Sequence, residues 1–101
     1  MSVPASLDRD GEGRYRVNGP MTVATVPALW PVLERAVRDT ADFDLSLGGV
    51  TQADSAAVAC LVACSRAARG RVRFTDMPES MRVIVEVSDL GDLFESRAGS
   101  A

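Results

Sequence analysis

The sequence contains no histidine, and lysine is absent as well, so all 11 of its basic residues are arginine. Without histidine, the Ser-His-Asp and Cys-His arrangements of nucleophilic catalysis are excluded. No lysine amine is available to take their place. Cysteine is scarce: Cys60 and Cys64 are the two present. They lie one helical turn apart, a poor geometry for a disulfide, and two thiols alone do not make a metal site. They read as small buried apolar residues, and neither a metal nor a cofactor is expected. Positive charge is not in excess either. A net charge of −3 and a pI near 4.8 argue against a nucleic-acid partner, which would select a basic face. No apolar run approaches the roughly 20 residues that span a bilayer, and no basic-then-apolar signal opens the chain. A cytoplasmic chain with no direct membrane insertion is expected.

What is present fits one globular domain over residues 1–101, with 1–5 and 97–101 flexible. Ser6-Leu7-Asp8 and Arg14 to Asn18 read as a hairpin around the turn Asp10-Gly11-Glu12-Gly13, ended by Gly19-Pro20. Thr22 to Thr40 reads as a helix with Val26, Leu29, Trp30, Leu33 and Val37 on one stripe. Thr25 is its expected N-cap, with Pro27 in the first turn. Pro31 conflicts with that start, because a proline this deep removes a hydrogen bond. Trp30 is expected in the core.

The chain is organised around FDLSLGGVTQADSAAVACLVACSRAAR, residues 43–69. Phe43, Leu45 and Leu47 alternate as a strand, Gly48-Gly49 signals a turn, and a helix runs from Ala56 until Gly70 caps it. Ser55 is the expected N-cap of that helix, with the Asp54 carboxylate at the positive end of its dipole. The helical projection puts Ala57, Val58, Leu61, Cys64, Ser65 and Ala68 on an inner side. Ser55, Ala59, Val62, Ala63 and Arg66 fall on the outer side. An outer face rich in alanine and valine has three readings: a docking surface, a helix buried on both sides, or alanines that serve helix propensity. A phosphoryl group on Ser55 would meet the donors of the helix N-terminus but also the charge of Asp54.

Arg71 to Thr75 alternates as a further strand. Asp76 and Glu79 have the spacing of a capping box, with Met77 and Pro78 as first helical positions. Met81, Ile84, Val85 and Ser88 form the inner stripe of the last helix. Asp89-Leu90-Gly91-Asp92 is expected to break it, and Leu93-Phe94 to pack back on the sheet. The order is β-β-α-β-α-β-α, an α/β fold with a small mixed sheet packed with helices.

On the motif FDLSLGGVTQADSAAVACLV and this element order, the sequence resembles the STAS-domain family. Within it, Leu29-Trp30, VTQADSAAVACLV and FTDMPESMRVIVEVSDL resemble the MlaB-like members. That resemblance implies a non-enzymatic accessory subunit of an inner-membrane, Mla-type phospholipid ABC transporter, which acts in outer-membrane lipid asymmetry. It implies that Asp54, Ser55 and the following helix face an MlaF-like ATPase subunit and, through it, a membrane permease. The partner-binding set is then Asp54, Ser55, Ala59, Val62, Ala63 and Arg66. Peripheral association with the inner membrane would follow. Relatives among the anti-anti-sigma factors imply an alternative, in which a partner kinase phosphorylates Ser55 and an anti-sigma factor is released. Some STAS relatives bind small ligands, but nothing in this chain names one. The sequence departs from the family at Ala57, where many members carry glycine; this bears on how closely a partner's backbone can approach.

Overall fold

The computed structural model describes residues 3–87. Along these, β1 (Ser6–Gly11), β2 (Arg14–Met21), α1 (Val26–Arg38), β3 (Phe43–Ala53), α2 (Ser55–Ala67), β4 (Val72–Thr75) and α3 (Glu79–Val87) follow one another. This is the predicted order. Ser88, the break at Asp89 to Asp92 and the Leu93-Phe94 pair lie outside the described residues.

The strands form one sheet in the order β1-β2-β3-β4, with β1 and β2 antiparallel and the other two pairs parallel. Each crossover moves one strand over in the same direction. Right-handed connections therefore put α1 and α2 on the same face. The strand pattern agrees: Phe43, Leu45 and Leu47 of β3 and Val72 and Phe74 of β4 are buried, whereas Asp44, Ser46 and Arg73 between them reach solvent. Leu29, Leu33 and Val37 of α1, Val58 and Leu61 of α2, and Met81 and Val85 of α3 complete the core. A fully buried leucine such as Leu33, Leu45 or Leu61 contributes about 2 kcal/mol relative to exposure. The opposite face stays polar, with Arg16–Asp10 at 3.5 Å, Arg73–Asp44 at 3.2 Å and Asn18 donating to Asp8 at 2.5 Å. Such exposed pairs add little stability, but they keep that face in water.

Several local expectations are corrected. Gly48-Gly49 does not turn the chain; both lie inside the continuous strand β3. Arg16 pairs with Ser46 and Asn18 with Gly49, so Leu47 and Gly48 together oppose Val17 in a bulge. Gly49 is needed because a Cβ there would collide with Asn18 Oδ1 and lie 2.7 Å from the Val17 carbonyl oxygen. Gly19-Pro20 does not end β2, which continues to Met21. β1 pairs only as far as Asn18, so Pro20 withholds its missing N–H from no β1 partner. In α1, Thr25 occupies the N-cap position and Pro27 the first turn, as predicted, yet Pro31 stays inside the helix. Pro27 and Pro31 are both exposed, so water can satisfy the carbonyl left without a donor.

The capping box at Asp76 does not form. Asp76 has φ 56° and its carboxylate accepts from Ser46 Oγ at 3.1 Å, which draws it toward β3. Met77 and Pro78 therefore precede α3, and the Pro78 carbonyl accepts from Met81 and Arg82 N–H at 3.1 and 3.0 Å. At the end of α2, Gly70 (φ 79°) closes the helix by donating to the Ser65 carbonyl at 3.0 Å. Arg69, one residue earlier, already takes the left-handed conformation, with φ 54°.

Two stability changes follow. Gly49→Ala is expected to lower stability by about 1–3 kcal/mol, because the bulge must open around the Val17 carbonyl. Arg69→Gly is expected to raise it by about 1 kcal/mol, by removing a left-handed side-chain residue. Urea denaturation reads both; a neutral Gly49→Ala would show that the bulge is compliant.

Candidate functional site

β3 ends at Ala53, and Asp54, with φ −130° and ψ −167°, turns the chain into α2. Its Oδ1 accepts from the Ala56 N–H at 2.8 Å, and its carbonyl accepts from the Ala57 N–H at 3.0 Å. Asp54 is therefore the N-cap, and the assignment of that role to Ser55 is corrected. A cap needs extended backbone so that its side chain can fold back over the first turn. Asp54 has that backbone, whereas Ser55 is already the first residue of the helix. Ser55 is exposed, and among the described residues nothing holds its hydroxyl.

The second carboxylate oxygen of Asp54 accepts from the Val23 N–H at 3.1 Å, and the Asp54 N–H donates to the Met21 carbonyl at 3.3 Å. One side chain thus ties the start of α2 to the loop between β2 and α1. Thr25, itself buried, fixes that loop from below: its hydroxyl donates to the Pro20 carbonyl at 2.7 Å and accepts from the Thr22 N–H at 2.9 Å. Val23 and Ala24 are left exposed beside Ser55, Val23 by 69%. The sequence reading missed both. The available signal was an apolar pair in a loop between two threonines.

Along α2 the inner residues fall as predicted: Ala57, Val58, Leu61, Cys64, Ser65 and Ala68 are all buried, and Cys60 with them. Ala57, the departure from the family pattern, is fully buried, so its methyl packs in the core and not on the outer face. Ala59 and Arg66 are exposed, and Val62 and Ala63 half-buried, with Val62 packed against the core. The outer side therefore brings together Ser55, Ala59, Val62, Ala63 and Arg66 over about 16 Å of helix. Asp54 lies half-buried behind them as the anchor.

Burial pushes the Cys60 thiol up to about 11 and the Cys64 thiol to about 12, the latter also through Cys60. Both stay protonated and unreactive at neutral pH. Because these values are raised on folding, the associated stability is present below the ordinary thiol range and is lost as pH climbs toward 11. Among the described residues no three metal-binding side chains converge, and no helix is long and apolar enough to cross a membrane.

Beside the outer face, α1 and α2 border an open groove of about 410 Å³. Trp30, Glu34 and Arg38 line it from α1, Ala63, Arg66 and Ala67 from α2, and Arg69 from just beyond α2. Trp30 is half-buried: it packs against the core, as expected, and also forms a wall of this groove.

Over residues 6–95 the chain matches the family described as MlaB, STAS domain. No curated protein sequence is significantly similar to it. Among solved structures, the anti-sigma factor antagonist SpoIIAA in its unphosphorylated form has a TM-score of 0.62 to this chain. The two share 12% identity over 81% of each chain, a likeness that shows a common fold: a mixed sheet with its helices in the same order. With a family match that spans every element described above, the chain belongs to the STAS-domain family, in its MlaB-like branch.

Proposed function

We propose that this STAS domain is a non-enzymatic accessory subunit of a phospholipid-transporting ABC system. It docks on the MlaF-like ATPase subunit through the outer side of α2, and ATP hydrolysis belongs to that partner. The observation that carries the reading is the pairing of an apolar outer face with a free, exposed hydroxyl at its start. Ala59, Val62 and Ala63 carry short side chains, so a partner's backbone can approach α2 closely and gain from the apolar area removed from water. Ser55 gives that contact one directional hydrogen bond. Asp54 holds the helix start and the Val23 loop in one surface, so it positions the site without having to touch the partner. The complex would bring the domain to the cytoplasmic side of the inner membrane.

A second reading is favoured by the accessibility of Ser55 together with the likeness to an anti-sigma factor antagonist. In it, a kinase partner phosphorylates Ser55. The added charge, about −2, stands next to the Asp54 carboxylate and turns an apolar rim into an anionic one, which releases the partner.

Gentle affinity purification of the tagged protein separates the readings. Co-purification of an ABC ATPase with its permease supports the first. A soluble histidine-kinase-like anti-sigma factor with no transporter subunit sinks it in favour of the second. Ala59→Glu is expected to abolish capture of either partner with the thermal midpoint unchanged, because Ala59 is exposed. Val62→Glu is a less clean probe, since Val62 is half core. A further pair isolates the two roles at the helix start. Asp54→Ala is expected to lower stability by about 1–2 kcal/mol in urea denaturation, through loss of the cap. Ser55→Ala should leave stability within about 0.5 kcal/mol of the parent yet weaken ATPase capture. A large stability loss for Ser55→Ala would return that residue to a structural role.

A further inference from the structure

We infer that the groove between α1 and α2 binds an acidic segment of a partner protein, with carboxylates on Arg66 and Arg69 and an apolar side chain on Trp30. The inference rests in part on the docking reading, since Ala63 and Arg66 belong to both surfaces.

The argument starts from charge. The chain carries −3 overall, yet Arg38, Arg66 and Arg69 line this one groove, and among the described residues Glu34 is the only carboxylate lining it. Glu34 is already engaged: its Oε2 accepts from Arg38 Nη2 at 2.9 Å and Nε at 3.2 Å. Arg66 and Arg69 remain exposed, and neither has a carboxylate partner among the described residues. Two exposed guanidinium forks lining one groove match carboxylates in bidentate geometry.

The backbone adds a second point. Arg69 holds φ 54°, a conformation that glycine adopts without strain, and Gly70 is the very next residue. Placing the arginine first is unfavourable for the helix end alone; it sets a cation in the lining of the groove. The third point is apolar. Trp30, the single tryptophan, forms one wall, and the small side chains of Ala63 and Ala67 leave it accessible. Tryptophan and arginine together are the residue types that dominate interface energetics.

The shape and the net charge select the class of occupant. The groove is open along its outer side, so it suits a segment lying across it more than an enclosed small molecule. The acidic remainder of the chain repels an extended polyanion such as nucleic acid or an anionic bilayer. A short acidic segment with one apolar anchor meets only the local cations.

The test uses the full chain and a random-peptide display library, counter-selected on Arg66→Glu/Arg69→Glu. Enriched peptides are expected to carry Asp or Glu around one large apolar residue. Their binding is read by emission of Trp30, which reports from the groove itself. Arg66→Gln/Arg69→Gln should weaken binding by roughly tenfold or more, and raised salt should weaken it further. Arg69→Gly should also weaken it despite a more stable fold, which separates binding from folding. Enrichment of non-acidic peptides, or affinity unchanged in Arg66→Gln/Arg69→Gln, overturns the inference. So does an equal Trp30 response to inorganic phosphate or to phosphatidylglycerol vesicles. Ala59→Glu serves as the cross-check: peptide binding should survive it. Partner capture that survives Ala59→Glu would count against the docking reading alone.

Discussion

The Asp54 carboxylate is the contact on which the rest of the surface depends. One oxygen closes the first turn of α2 and the other holds the Val23 N–H, so a single side chain fixes a helix start relative to a loop 31 residues earlier. Without it, α2 would begin with free N–H groups and the β2–α1 loop would lose its tie to that helix. Ser55, Val23 and Ala24 are then displayed together because Asp54 binds behind them. This division of labour is economical: the carboxylate is structural, and among the described residues the neighbouring hydroxyl is left free.

Much of the fold was legible in the sequence because it follows from periodicity. The alternation of Phe43, Leu45 and Leu47 and the inner stripe of α2 are local patterns, and burial agrees with both. Failures came where a local signal had a tertiary cause. Gly48-Gly49 has the composition of a turn, but its reason is the approach of Asn18 and the Val17 carbonyl from a strand far away in sequence. Asp76 has the spacing of a cap, yet the Ser46 hydroxyl on β3 claims its carboxylate. The cap of α2 was misplaced by one residue, because composition cannot tell which of two adjacent capping residues holds extended backbone. The helical projection put Ser55, Ala59, Val62, Ala63 and Arg66 on one side of α2, and their exposure follows it in part: three are exposed and Val62 and Ala63 are half-buried. The groove was not legible, since it needs the relative position of two helices.

Membership of the STAS family accounts for the sheet and helix order, and SpoIIAA shows how much sequence can change around that order. The candidate functional features lie on the helical side. A face of small residues, an exposed serine and an arginine-rimmed groove occupy one layer, while the far side of the sheet carries the Arg16–Asp10 and Arg73–Asp44 ion pairs. The contrast gives the molecule a front and a back. The docking face proposed above, the outer side of α2, lies on the front.

That one-sided layering also ties lifetime to occupancy. With the helices on a single face of the sheet, the core is one seam between sheet and helices, and the described residues contain no second cluster to hold it if α2 lifts. Anything gripping the outer side of α2 presses on that seam, and mass action then converts binding directly into resistance to unfolding. A free copy and a bound copy would thus differ in how often their core opens to proteases.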